Sequence, residues 1–310
     1  MQKQILMTGL LVVGLATSAW AATPGTGASD PFDLGTSAAI SAMGGASAAA
    51  PGGLWSLGFN PAGLADINER RIGGTYLKWI ENSNVSYGAV ALPPGFALGA
   101  VGFDQGSITL SEGFFEDGSS QKVSDFGAIA GYGTKLPEKL SNVSLGISGQ
   151  FWQKNYAGSK ASTFGVNLGG RYMAMEDQLT VGAYVQNLGP AIKFENAEYD
   201  DPQPMTMTGG VGWMMKKADG QMARFGVMAD VVKPLDQGVY FAAGGQVILQ
   251  DILSLRAGVN TVNEETTPTF GVGILYKAFG FDYSFANIKL MDESLATHRM
   301  SISFGLGSGQ

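Results

Sequence analysis

Residues 142–151 read Asn-Val-Ser-Leu-Gly-Ile-Ser-Gly-Gln-Phe. In an extended chain successive side chains point to opposite sides, so Val143, Leu145, Ile147 and Phe151 share one face and Ser144, Gly146, Ser148 and Gln150 the other. The stretch is also about ten residues long, the length a tilted strand needs to cross a bilayer. The same sorting returns with Phe164, Val166, Leu168 and Tyr172 against Thr163, Gly165, Asn167, Gly169 and Arg171, and with Met205, Met207, Val211, Trp213 and Met215 against Thr206, Thr208, Gly210, Gly212 and Lys216. Repeated from about Arg70 onward, it predicts an all-β fold: a transmembrane antiparallel β-barrel of about fourteen strands.

Bulk composition agrees. Of the 310 residues 45% are hydrophobic and only 15% charged, too apolar for disorder, while the mean hydropathy of +0.09 suits a wall in which only every second residue meets lipid. One continuous apolar run exists, Ile5–Ala22, behind Lys3 and ahead of Ala19 and Ala21; it reads as a secretory signal over residues 1–21. Without it the chain keeps 18 basic against 26 acidic residues, a net charge of −8, which argues against nucleic acid as a partner. No cysteine is present, which suits an oxidising compartment.

Residues 22–68 differ in composition, being rich in Gly, Ala and Ser. Two short stretches there are compatible with helix, Thr36–Ala50, interrupted at Gly44 and Gly45, and one beginning at Asn60, where Asn caps and Pro61 takes the first helical position. Neither is long enough to stand alone in water, so the segment is expected to plug the lumen of a barrel spanning 69–307, with 308–310 as a tail. Many of the 46 glycines, among them Gly146, Gly169, Gly182 and Gly271, fall on the face away from lipid, where they let a plug approach the wall closely. Long polar connections are expected at 106–122, 188–203 and 288–296, all on one side of the membrane by parity. Trp79, Trp152, Trp213, Tyr132, Tyr172 and Tyr276 lie near strand ends and are expected to form an interfacial girdle.

Several phrases carry a resemblance. Met43–Ala46 (Met-Gly-Gly-Ala) leads to Asn60-Pro61-Ala62-Gly63-Leu64; Gln186-Asn187-Leu188-Gly189-Pro190, Leu255-Arg256-Ala257-Gly258 and His298-Arg299 follow. In this order and spacing the chain resembles the FadL-like outer-membrane barrels, most closely the PorV/PorQ branch. Two departures stand out: Ala39 and Gly52-Gly53 occupy positions where that family carries an Arg and an acidic pair, so its plug-docking ion pairs are not expected to form. The resemblance implies a protein of the bacterial outer membrane, in contact with its lipid and lipopolysaccharide. It implies either uptake of hydrophobic small molecules or a secretion-linked role, holding or relaying exported proteins at the surface. A soluble β-sandwich adhesin is the third reading; an uncharged apolar face across many strands speaks against it.

Catalysis is poorly supported: His298 is the sole histidine and shares the outward face with Met300, Ile302 and Phe304. Neither a cofactor nor a metal site is expected, since the acidic clusters at 112–117, 195–201 and 264–265 match no defined calcium loop. By parity Arg171, Arg224, Asp230, Arg256 and Arg299 face the lumen, with Asp282, Gln150, Gln246, Asn167 and Asn260, because charge on the lipid face costs a few kcal/mol. They either fix the plug or line a path. Met43, Leu54, Trp55, Leu57 and Phe59 are candidates to line a ligand pocket, with plug packing as the alternative.

Overall fold

The computed structural model describes residues 34–79, 83–109, 120–156, 158–195, 200–262, 265–290 and 293–307; the expected signal segment and the tail lie outside these. Fourteen strands follow in order: β1 (Arg70–Lys78), β2 (Asn84–Leu92), β3 (Phe96–Thr109), β4 (Ser120–Lys135), β5 (Val143–Tyr156), β6 (Ser159–Ala174), β7 (Leu179–Leu188), β8 (Thr206–Met214), β9 (Ala223–Pro234), β10 (Tyr240–Leu249), β11 (Leu253–Val262), β12 (Glu265–Tyr276), β13 (Phe279–Leu290) and β14 (Glu293–Leu306). Each pairs antiparallel with its neighbours, and β1 pairs with β14 from Arg70↔Leu306 to Lys78↔His298, closing the sheet. Closure is the physical requirement for a strand protein in lipid, since an open edge would leave backbone groups without partners.

Alternation sorts the wall as the 142–151 stretch predicts. Leu145, Ile147 and Phe151 are exposed on the outer surface, whereas Ser144, Ser148 and Gln150 are buried toward the lumen. Exposed basic residues of the strands, such as Arg70, Lys78, Lys135 and Lys233, sit at or next to strand ends, leaving an apolar band between. Two rims result. The near rim carries the start of β1 and the short connections 93–95, 136–142, 175–178, 215–222, 250–252 and 277–278; the far rim carries 189–205 and the other returns.

The structure corrects several expectations. Residues 288–296 are mostly strand, with Asn287 opposite Ala296 and Ile288 opposite Leu295, because polar side chains end an apolar band without ending a ladder. Trp152 belongs to no girdle: it is buried inside the barrel, as its even parity on β5 requires. Met205 precedes β8 and is buried, and Lys216 lies beyond it in an exposed turn, bonded to Glu176. Within Thr36–Ala50 the helix is confined to α1 (Ala38–Ser41), capped by the Ser37 hydroxyl; the interruption expected at Gly44 and Gly45 is present, both adopting left-handed backbone (φ +74° and +89°), and no helix resumes beyond them up to Ala50. The segment starting at Asn60 is a 3₁₀ helix, Pro61–Asp66, and another covers Leu54–Gly58.

Candidate functional site

Residues 34–66 fill the lumen, and the glycines of the wall explain how closely. A Cβ on Gly182 would lie 1.8 Å from the Ala48 carbonyl oxygen, one on Gly146 2.1 Å from the Pro61 carbonyl carbon, and one on Gly169 2.1 Å from Asn60 Oδ1. Gly271 meets the Ala42 methyl in the same way, and Gly244 and Gly258, which the parity reading did not single out, meet Met43 and Gly44. Gly210 and Gly273 are spoken for differently: they make room for Asp230 and for the Arg256–Asp282 pair of the wall itself.

The plug follows the inner circumference. Leu34 accepts a hydrogen bond from the Arg299 guanidinium on β14, and the Ala38 amide donates to Ser301 Oγ at 2.9 Å. Farther on, the Gly44 amide donates to Thr269 Oγ1 on β12 (3.0 Å), and the amides of Ser47 and Ala48 both donate to Asp230 Oδ2 on β9 (2.6 and 2.9 Å). Ser47 Oγ also bonds the Tyr184 hydroxyl on β7 at 2.8 Å. The chain then crosses to β1–β4, where Leu54 and Leu57 pack, and returns to β4–β6 with Pro61–Asp66. Asn60 ties the two arms together: its Oδ1 caps the Ala62 amide (3.1 Å), while its Nδ2 donates to Ala48 O (2.8 Å) and Gly170 O (3.3 Å).

Asp66 closes the plug with ion pairs to Arg171 (2.9 Å) and Lys135 (3.0 Å). Ionic docking therefore exists, from a residue at the plug's end rather than from the positions held by Ala39 and Gly52-Gly53. A side chain at Gly52 would strike Asp66 itself, at 2.3 Å from Oδ2.

The lumen is chemically two-sided. From β1 to β4 its buried wall includes Leu77, Val85, Tyr87, Val101, Phe103 and Ile129, in one cluster with Trp152 of β5, with Leu54, Leu57 and Leu64 of the plug and with Trp55 at its edge. From β5 to β14 the buried inward residues are mainly polar, among them Ser148, Gln150, Asn167, Asp230, Thr269 and Ser301. Within the apolar side one ion pair is enclosed, Lys154–Asp125 at 3.3 Å, with the ammonium 5.5 Å above the Trp152 ring.

The five pocket candidates do not converge. Leu54, Trp55 and Leu57 face the apolar side; Met43 packs across the lumen with Ile40, Ala46, Ala50, Met228 and Ala242; Phe59 is half-buried outside both clusters. Of the charged candidates, Arg171, Asp230 and Arg299 contact the plug, and Arg256 pairs with Asp282 (2.6 Å) and Gln246 (3.2 Å). Arg224 has inward parity but sits at the near rim, bound to Asp251 of the 250–252 turn (2.8 Å). Parity alone could not foresee that, because it assigns a face and not a height.

The recurring phrases acquire roles. In Met43–Ala46 the two glycines turn the plug against β10–β12. In Gln186–Pro190, Asn187 (φ +62°) forms a bulge where β6 and β7 slip register, and Asn167 Oδ1 accepts from its amide at 2.9 Å. A second slip separates Asp104 and Ser107 on β3, where Gly106 takes φ +83°. A hollow of about 520 Å³ bounded by Leu98, Ala128, Gly149, Phe151 and Phe164 lies on the lipid side of β3–β6, outside the lumen.

The toluene transporter TodX of Pseudomonas putida superposes with a TM-score of 0.58 at 13% identity, covering 89% of this chain and 99% of that one. The fold is that of the FadL-type outer-membrane barrels. The toluene transporter TbuX of Ralstonia pickettii matches with a TM-score of 0.57 at 13% identity (87% and 98% covered), and a FadL homologue of Pseudomonas aeruginosa with 0.53 at 11% (88% and 99%). No protein-family profile and no curated protein matches the sequence. A closed barrel with an apolar exterior band is built to cross a lipid bilayer with its strands.

Proposed function

We propose that this FadL-type barrel transports small hydrophobic compounds across the outer membrane, along the apolar side of its lumen. The observation that carries the reading is the segregation itself. A barrel that needed only to be filled would gain nothing by gathering Val85, Val101, Phe103 and Ile129 on the adjacent strands β2, β3 and β4 opposite a mainly polar remainder. An apolar lining with few polar groups is what retains an apolar solute. The solved structures of the same fold include two toluene transporters, which supports the same solute class. In this reading the far rim faces outward, into lipopolysaccharide; the solute enters there, meets Leu54, Trp55 and Leu57 of the plug, and leaves through the wall or past the plug. The secretion-linked alternative suggested by the PorV/PorQ phrases would need an exposed apolar patch on the far rim, and the described residues there supply no observation that favours it.

The test is uptake of a radiolabelled monoaromatic hydrocarbon, and separately of a long-chain fatty acid, by bacteria lacking their own hydrophobic-uptake barrels. The native chain should raise uptake of one of these classes over the empty host, and Phe103→Glu should abolish the gain while heat-dependent gel mobility shows a folded barrel. No gain with either compound, or equal uptake by Phe103→Glu, refutes the assignment.

A further inference from the structure

The two arms of the plug are held by different forces. Leu54–Leu64 is held by burial: lifting it would expose Leu54, Leu57 and Leu64 and the apolar wall behind them to water. Residues 36–50 bury less apolar surface, in a cluster that joins Met43, Ala46 and Ala50, with Ile40 at its edge, to Met228 and Ala242 of the wall. Apart from Ile40 and Met43 their side chains are no larger than threonine, and they are fastened by hydrogen bonds to Ser301, Thr269, Tyr184 and Asp230. Water can take over every one of those bonds, so exchanging this arm for water costs far less than exchanging the other.

We propose that residues 36–50 are a gate over a second, hydrophilic route along the polar side of the lumen, latched by Asp230, and that small ions and polar solutes pass when the gate is released. The latch is the strongest contact of the arm. Asp230 forms none of the ion pairs found among the described residues; the two donors facing Oδ2 are the adjacent amides of Ser47 and Ala48, and Oδ1, crowded against Gly210, has no hydrogen-bond partner. Hydrogen bonds to an ionised group are the strong kind, and both are made by the gate rather than by the wall. Released, the arm vacates the width of one polypeptide chain, about 5 Å as between neighbouring strands, along a surface bearing Asp230, Gln246, Arg256, Thr269 and Ser301. That is the polar lining of a conducting barrel.

The test reads KCl conductance of the full chain in planar bilayers, so its outcome is independent of whether the barrel carries hydrocarbons. Asp230→Ala removes two charge-assisted hydrogen bonds and should raise the open fraction about 100-fold over the native chain. Because the chain has no cysteine, one disulfide can lock the gate: the Ala49 methyl lies 3.2 Å from the position of a Cβ on Gly212, close to the usual Cβ separation of about 3.5–4.5 Å. In an Asp230→Ala, Ala49→Cys, Gly212→Cys chain, oxidation should abolish the conductance and reduction restore it. A folded Asp230→Ala barrel that conducts no more than the native chain, or conductance indifferent to the disulfide, overturns the proposal. Should Asp230→Ala fail to fold, Thr269→Val with Ser301→Ala cuts the same arm from β12 and β14, and the same two outcomes decide.

Discussion

Gly182→Ala adds a single methyl group to the wall, and the structure says what it must do. The new carbon would lie 1.8 Å from the Ala48 carbonyl oxygen, where real contacts stay beyond 3.0 Å, so plug and wall must separate by more than about 1 Å. The wall cannot yield: Gly182 pairs with Arg171 on one side and Gly210 on the other. The plug must move instead, and it moves away from its own fastenings. The Ser47 and Ala48 amides stand 2.6 and 2.9 Å from Asp230, and Asn60 Nδ2 stands 2.8 Å from the displaced carbonyl. Losing one charge-assisted and one neutral hydrogen bond costs about 2–4 kcal/mol, comparable with the 1–3 kcal/mol of overpacking left behind if the plug stayed. The expected result is a barrel that still folds, shown by heat-dependent gel mobility, with a loosened plug. With Ala48→Cys as reporter, a water-soluble thiol reagent should label the Gly182→Ala chain at least about 30-fold faster than the chain carrying Ala48→Cys alone. Equal labelling would refute the view that these glycines exist for the plug.

Two further outcomes follow from the ion pairs. Asp66→Ala strips the partner from Arg171, whose side chain is only 4% exposed, and should lower unfolding stability in lipid vesicles by about 3–5 kcal/mol; adding Arg171→Met should recover most of the loss, since it is the stranded charge that costs. At the near rim, the Lys216 ammonium hydrogen-bonded to Glu176 holds that carboxyl below its usual range. A lowered folded value means that the turn's stabilisation is present above the unfolded pKa of about 4 and is lost as acidification passes through the folded one. Amide protection at 175–178 and 215–222, corrected for intrinsic exchange, should therefore fall only below about pH 4, and Lys216→Gln should erase the step.

Strand alternation was readable because lipid imposes it: each outward position must be apolar, so Leu145, Ile147, Phe164 and Leu168 announce their face without reference to any other part of the chain. The glycines were readable for the complementary reason, since Gly146, Gly169 and Gly182 leave the lumen face bare at positions where a wall needs no such economy. What parity could not supply is depth and direction around the barrel. Trp152 looked like an interfacial ring until its even position on β5 put it inside, and Arg224 shared the inward face of Asp230 without sharing its neighbours. The division of the lumen into an apolar and a polar side was present in the inward residues all along. Seeing it requires knowing that β1–β5 and the Leu54–Leu64 arm meet, a contact between distant parts of the chain that periodicity does not encode.

The circular course of residues 34–66 has a consequence for biogenesis. This segment is synthesised before any strand, yet some of its anchors lie on the last ones: Ala38 waits for Ser301, 263 residues later, and Gly44 for Thr269, 225 later. Until β14 zips onto β1 there is no cylinder to enter and no far wall to meet, so seating is the final event of maturation and is slow for a chain of such long-range contacts. A barrel whose closing seam is faulty is thereby left with a loose N-terminal tail, a visible mark by which quality-control proteases can tell it from a finished one.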